Sequence, residues 1–135
     1  MGNRRIESTP EAVFAGSPGG LALYRAVERL LAASCANAAG PLEIRATKSQ
    51  VAFRGRRRGF AYVWWPGRYV RSDVPAVLSI ALGRRIDSPR FKSVVHPSPG
   101  LWMHHLELRS EDELDAEVVG WLRQARDDAS LDRPR

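Results

Sequence analysis

The sequence predicts an α+β domain: a five-stranded antiparallel sheet with an N-terminal and a C-terminal helix packed on one face. Three observations predict it. Apolar residues recur at helical spacing near each end of the chain. Through the middle they alternate at strand spacing. The breaks after Arg45, Arg54 and Trp65 are short enough to favour antiparallel neighbours.

Each element has its own signal. In "STPEAVF", Thr9 is placed to cap one helical turn with Pro10 at its first position. "GSPGG" then predicts a break before the first long helix. In that helix Leu21, Tyr24, Val27 and Leu31 form a stripe that Leu23 and Leu30 widen, and Gly40 and Pro41 supply the stop. "PLEIRA" and "QVAFR" alternate as half-buried strands around the short "TKSQ" connection. "FAYVWW" is apolar on both faces, as a central strand requires, and "PAVLSIAL" makes the fourth strand after the Pro66-Gly67 turn. Ser88 and Pro89 predict a short helix reaching Val95, which Pro97 and Pro99 end. "LWMHHLELR" is the fifth strand, with Trp102, His104, Leu106 and Leu108 sharing a face. Ser110 and Glu113 match a capping box at the start of the last helix, whose stripe is Leu114, Val118, Trp121, Leu122 and Ala125.

The 135 residues suffice for one domain, predicted over 9–128, with tails at 1–8 and 129–135. A single cysteine, Cys35, excludes an intrachain disulfide and an all-cysteine zinc site. No apolar run approaches the roughly twenty residues of a membrane span, and no signal-type stretch follows "MGNRRI". The expected location is the cytoplasm, without a membrane partner. The net charge of +6 conceals a segregation. Residues 41–109 hold thirteen lysines and arginines against four acids, whereas 110–128 hold two against seven. A basic sheet region beside an acidic helix steers polyanions when the charges share a surface, and otherwise only balances itself.

The stretch "FRGRRRGFAYVWW" concentrates that charge. Arg54, Arg56, Arg57 and Arg58 offer planar forks suited to phosphates, and Trp64 or Trp65 offers a stacking surface on the following strand. Arg45 and Lys48 extend the patch, as do Arg68 and Arg71. The leading expectation is a non-enzymatic domain that binds nucleic acid or another polyanion through this hairpin. The competing reading is a solvated loop tip.

An alternative of a different class is a small-molecule or enzymatic pocket between the open sheet face and the 84–102 segment, lined by Arg90, Trp102 and His104. A third is a protein partner on the acidic last helix. No catalytic motif, cofactor or metal site is expected. His104 and His105 are adjacent on a strand and therefore diverge, so the first reads as a core histidine and the second as a sheet-surface residue. Cys35 reads as a buried hydrophobe, and "GSPGG" lacks the lysine of a phosphate loop.

Three passages carry a resemblance: "ATKSQVAF" (46–53), "DSPRFKSVV" followed by a Pro/Gly turn and Trp102, and "LELRSEDELD" (106–115). Over Leu23 to Ala125 the chain resembles an uncharacterised bacterial domain-of-unknown-function family, some of whose members are labelled "predicted transport protein". The resemblance implies a helix–sheet–helix layout, and members that occur alone or fused to other domains, including ones associated with modification-dependent restriction enzymes. It implies no catalytic residues. The arginine-rich tip and "MHH" depart from many relatives, so roles for Arg56, Arg57, Arg58, His104 and His105 do not follow from it.

Overall fold

Residues 8–34 and 42–130 are described by a computed structural model. Helices α1 (Pro10–Val13) and α2 (Pro18–Ser34) precede strands β1 (Glu43–Ala46), β2 (Val51–Arg54), β3 (Gly59–Trp64) and β4 (Ala76–Leu82). Strands β5 (Ser93–Ser98) and β6 (Leu101–Leu108) follow, then helix α3 (Ala116–Ser130). Among the described residues the sheet has six strands in the order β1-β2-β3-β4-β6-β5, with every neighbouring pair antiparallel. The class, the antiparallel sheet and the four-strand meander are as the sequence predicts.

The sixth strand is a correction. Ser88 caps only a turn: its Oγ accepts from the Arg90 amide at 3.2 Å and its carbonyl from the Phe91 amide at 3.2 Å. The Lys92 amide then donates to the His105 carbonyl at 2.8 Å, and the predicted helix gives way to β5. Val94 and Val95 favour extended backbone, and Pro97 is tolerated because β5 is an edge strand. Pro99 and Gly100 turn the chain into β6, and Gly100 takes the positive φ of 75° that this turn requires.

Both long helices lie on one face. Tyr24 stacks between Phe14 and Phe53, with ring centroids 6.1 Å and 5.8 Å apart. Val27, Leu31, Val118, Trp121 and Leu122 are buried as expected, while Leu21 is only half-buried and Leu23 and Ala26 take its place. A fully buried leucine such as Leu31, Leu78 or Leu122 contributes about 2 kcal/mol.

The two helix starts stand differently to their local signals. "GSPGG" both breaks the chain, at Gly16 and Ser17, and opens α2 from Pro18: Ser17 Oγ accepts from the Gly20 amide at 3.1 Å and donates to the Pro75 carbonyl at 3.0 Å. A Cβ at Gly20 would stand 2.3 Å from that same carbonyl oxygen, so only glycine lets α2 approach the β4 entry this closely. At the other end the capping box forms, with the Ser110 amide 3.1 Å from Glu113 Oε1 and the Asp112 amide 3.2 Å from Ser110 Oγ. It yields one 3-10 turn, Glu111–Glu113, rather than the helix. A second cap, Asp115 Oδ1 accepting from the Val118 amide at 3.2 Å, starts α3.

The domain also reaches further than 9–128. The Ser8 amide donates to the Ala46 carbonyl at 3.2 Å, and α3 continues through Ser130 with Ala129 buried. The Cys35 reading and the Gly40-Pro41 stop lie outside the described residues. No described helix is long and apolar enough to cross a membrane.

Candidate nucleic-acid interface

The arginine tip is built by a tight return between β2 and β3. The Gly55 amide donates to the Arg58 carbonyl at 2.8 Å, and the register shifts between Phe53 and Arg54. The tip is not a free loop. The Arg57 amide donates to the Ala129 carbonyl at 3.1 Å, and a Cβ at Gly55 would lie 3.2 Å and 3.3 Å from Ser130 and Ala129. It therefore caps the last turn of α3, where the negative end of the helix dipole favours cations. Arg56 and Arg57 are exposed, and Arg58 is half-buried. Its Nε and Nη2 are buried without a hydrogen-bond partner among the described residues.

A second loop reaches the same place. The Gly83 amide donates to Asp128 Oδ2 at 2.8 Å, which ties the end of β4 to the last turn of α3. Arg84 and Arg85 follow, both exposed, with Arg85 Nε 3.0 Å from Asp87 Oδ1. Arg56, Arg57, Arg58, Arg84 and Arg85 thus gather around one helix end. Arg84 and Arg85 are absent from the patch that the sequence predicts. The meander itself carries the signal, because β3 leaves the tip and β4 returns to it.

The predicted patch divides elsewhere. Arg45 and Arg54 share Glu43, at 3.4 Å and 3.7 Å, on the sheet face away from the helices. Lys48 sits in the β1–β2 turn at the opposite end of the hairpin, separated from the tip by β2, roughly 13 Å of strand. Arg68 and Arg71 follow β3, at the end of the sheet that also holds Lys48. The two tryptophans separate as well. Trp65 packs against Gly16 and Gly67, where an added Cβ would come within 2.2 Å and 2.6 Å of the indole. Trp64 turns to the open face and shares it with Arg45 and Arg54.

On that face Trp64 Nε1 donates to Ser79 Oγ at 2.9 Å, and Ser79 Oγ lies 2.7 Å from His105 Nδ1. The two rings stand nearly perpendicular, 88° apart with centroids at 6.2 Å. Together with Gln50, Tyr62 and Met103 they line a pocket of about 380 Å³. Burial, and to a lesser degree the neighbouring His104, lowers the His105 pKa below the usual histidine value.

Arg90, Trp102 and His104, foreseen as lining a pocket, are each engaged within the fold. His104 is fully buried: Nε2 accepts from the Ile86 amide at 3.0 Å, so Nδ1 carries the proton toward the Ile80 and Trp102 carbonyls at 3.3 Å and 3.2 Å. Burial, opposed by those carbonyls and aided by the charges of Arg85 and Arg84, lowers its pKa below the usual histidine value. Trp102 stacks on His96 at 3.6 Å. Arg90 fastens α3, with Nη1 3.1 Å from Asp115 and 2.8 Å from Glu117, Nη2 2.9 Å from the Glu113 carbonyl, and its guanidinium 5.7 Å from the Trp121 ring centre. The Arg90 hydrogen bonds hold the Asp115 carboxyl below its ordinary range. The acidic helix start is therefore largely engaged within the domain. Among the described residues no group of three or more histidines, cysteines, aspartates and glutamates is placed to hold a metal ion.

Residues 12–129 match a family described as a domain of unknown function, DUF5655. The chain belongs to that family. No curated protein and no solved structure matches it.

Proposed function

We propose that this DUF5655 domain binds nucleic acid through its phosphates, with the arginine-bearing end of the sheet as the contact surface. One observation carries the reading. Two loops distant in sequence, at Arg56–Arg58 and Arg84–Arg85, are both hydrogen-bonded to the last turn of α3. Arginines anchored in this way act as a set, because their backbones are held before any ligand arrives and little ordering entropy is lost on binding. Arg56 and Arg84 are exposed and make no ion pair among the described residues, so their forks are available to phosphate oxygens. Arg45 and Arg54 lie along the adjoining face and share one exposed carboxylate, a weak surface pairing that a phosphate can displace.

The test is the salt dependence of binding. Engagement of about three phosphates gives a log–log slope near −2 to −3. Replacing Arg56, Arg57 and Arg84 with serine flattens that slope by about one for each phosphate no longer engaged. Lysine at the same positions keeps charge and loses the fork, so it weakens binding less than serine does. Absence of binding at low salt refutes the proposal, as does a triple serine variant with an unchanged slope.

A further inference from the structure

The open face of the sheet presents a row of residues in direct cross-strand register: Arg45, Ala52, Tyr62, Ser79 and His105. Both long helices lie on the other face, yet Val77, Ser79 and Ala81 here are buried, and their cross-strand partners include Trp64, Tyr62 and Met103. Small residues on the central strand with large ones beside them leave a hollow, and this is the pocket of about 380 Å³. Its size falls at the lower end of small-ligand clefts, about 300–1,000 Å³.

The polar groups in it are linked. An indole N–H only donates, so Ser79 Oγ accepts from Trp64, and the same oxygen shares a hydrogen bond with His105 Nδ1. His105 Nε2 has no hydrogen-bond partner among the described residues. The pocket offers a flat indole, an imidazole standing perpendicular to it, and an unused ring nitrogen. A planar ring stacked on the indole meets the imidazole at a right angle, so different walls supply stacking and hydrogen bonding. Arg45 lies three strands from Ser79 in the same row, about 14 Å between backbones, with a long side chain to shorten that gap. Positive charge at that distance suits a heteroaromatic ring that is attached to a phosphodiester chain.

We infer that this pocket seats one unpaired base of a single-stranded nucleic acid, while the strand's phosphates run past Arg45 and Arg54 toward the arginine end. The inference rests on the nucleic-acid reading above and adds that the strand is single and that a base is held. A base inside a duplex has both faces stacked on neighbours and cannot enter such a hollow.

The experiment compares a labelled oligothymidine strand with an abasic strand of the same length and charge. The base-bearing strand binds more tightly by at least about fivefold, the loss expected for one stacked base. The indole ¹⁵N–¹H signal of Trp64, assigned with Trp64→Phe, shifts on adding the base-bearing strand and stays in place with the abasic one. His105→Ala removes most of the preference and leaves the salt slope unchanged. Equal affinity for both strands overturns the base pocket and leaves the phosphate reading standing. A preference without movement of the Trp64 signal overturns it too, because the base then lies elsewhere. Thymidine monophosphate binding as tightly as the strand overturns the assignment to a strand. Failure of both strands to bind at low salt removes both proposals.

Discussion

His104 and His105 are neighbours in one strand, and they belong to different halves of the molecule. On the helix-covered face, His104 is sealed, and each ring nitrogen is committed to a backbone group. On the open face, His105 is half-buried, tied through Nδ1 to Ser79 and uncommitted at Nε2 among the described residues. Burial lowers the pKa of both. The pleat of β6 alone separates the two environments. A perturbed histidine is therefore not in itself a sign of function. The informative quantity is whether its hydrogen-bonding capacity has already been used by the fold.

Truncating each ring in turn gives the largest expected effect. His104→Ala deletes a fully buried ring and strands the Ile86 amide, and the cost is about 3 kcal/mol. His105→Ala costs under about 1 kcal/mol, since the side chain is half-exposed and Ser79 keeps its bond from Trp64. Urea unfolding midpoints of the two variants check the pair. Equal losses would mean that the open face is as much a part of the core as the covered one.

The next effect tests how closely the covered face is packed. Gly20→Ala places a methyl group against the Pro75 carbonyl and Phe14, neither of which moves cheaply, and lowers stability by about 2 kcal/mol. A loss below a few tenths of a kcal/mol would show that α2 can shift on the sheet.

Acid separates the buried histidine from the rest of the chain. Folding lowers the pKa of both histidines, so the unfolded chain takes up protons first as the pH falls. Their contribution to stability is complete above the ordinary value of about 6.5 and declines as the pH drops toward the lowered folded values. His104→Gln cannot titrate, so the decline between about pH 7.5 and pH 5 becomes shallower than in the parent. A parallel profile would assign the decline to other groups.

The smallest effect has the opposite sign. Gly120 lies on the solvent side of α3, and an added Cβ meets nothing within 4 Å. Gly120→Ala therefore stabilises by about 0.5–1 kcal/mol through the unfolded state, seen as a small rise in Tm.

Much of this domain is set locally and can be read along the chain. Thr9 accepts from the Ala12 amide at 3.1 Å, as its place before Pro10 predicts. Alternation in 51–54 and 101–108 identifies the right inward residues, and the core role of His104 follows from the face it shares with Leu106 and Leu108. These features depend on side-chain period and on caps a few residues long. Other features depend on packing between distant segments. Ser88 and the Ser110 capping box carry valid helix-start chemistry, but pairing with β6 drew the first segment into a strand, and packing against Arg90 delayed the second until Asp115. Trp64 and Trp65 are adjacent and so point to opposite sides, and the indole of Trp65 is the one received beside Gly16 and Gly67. Arg84 joins Arg56 because β3 and β4 are antiparallel and α3 ends between their loops. Composition counts those charges correctly. Whether they share a surface depends on pairing across some thirty residues of chain, and no local term in the sequence encodes such a pairing.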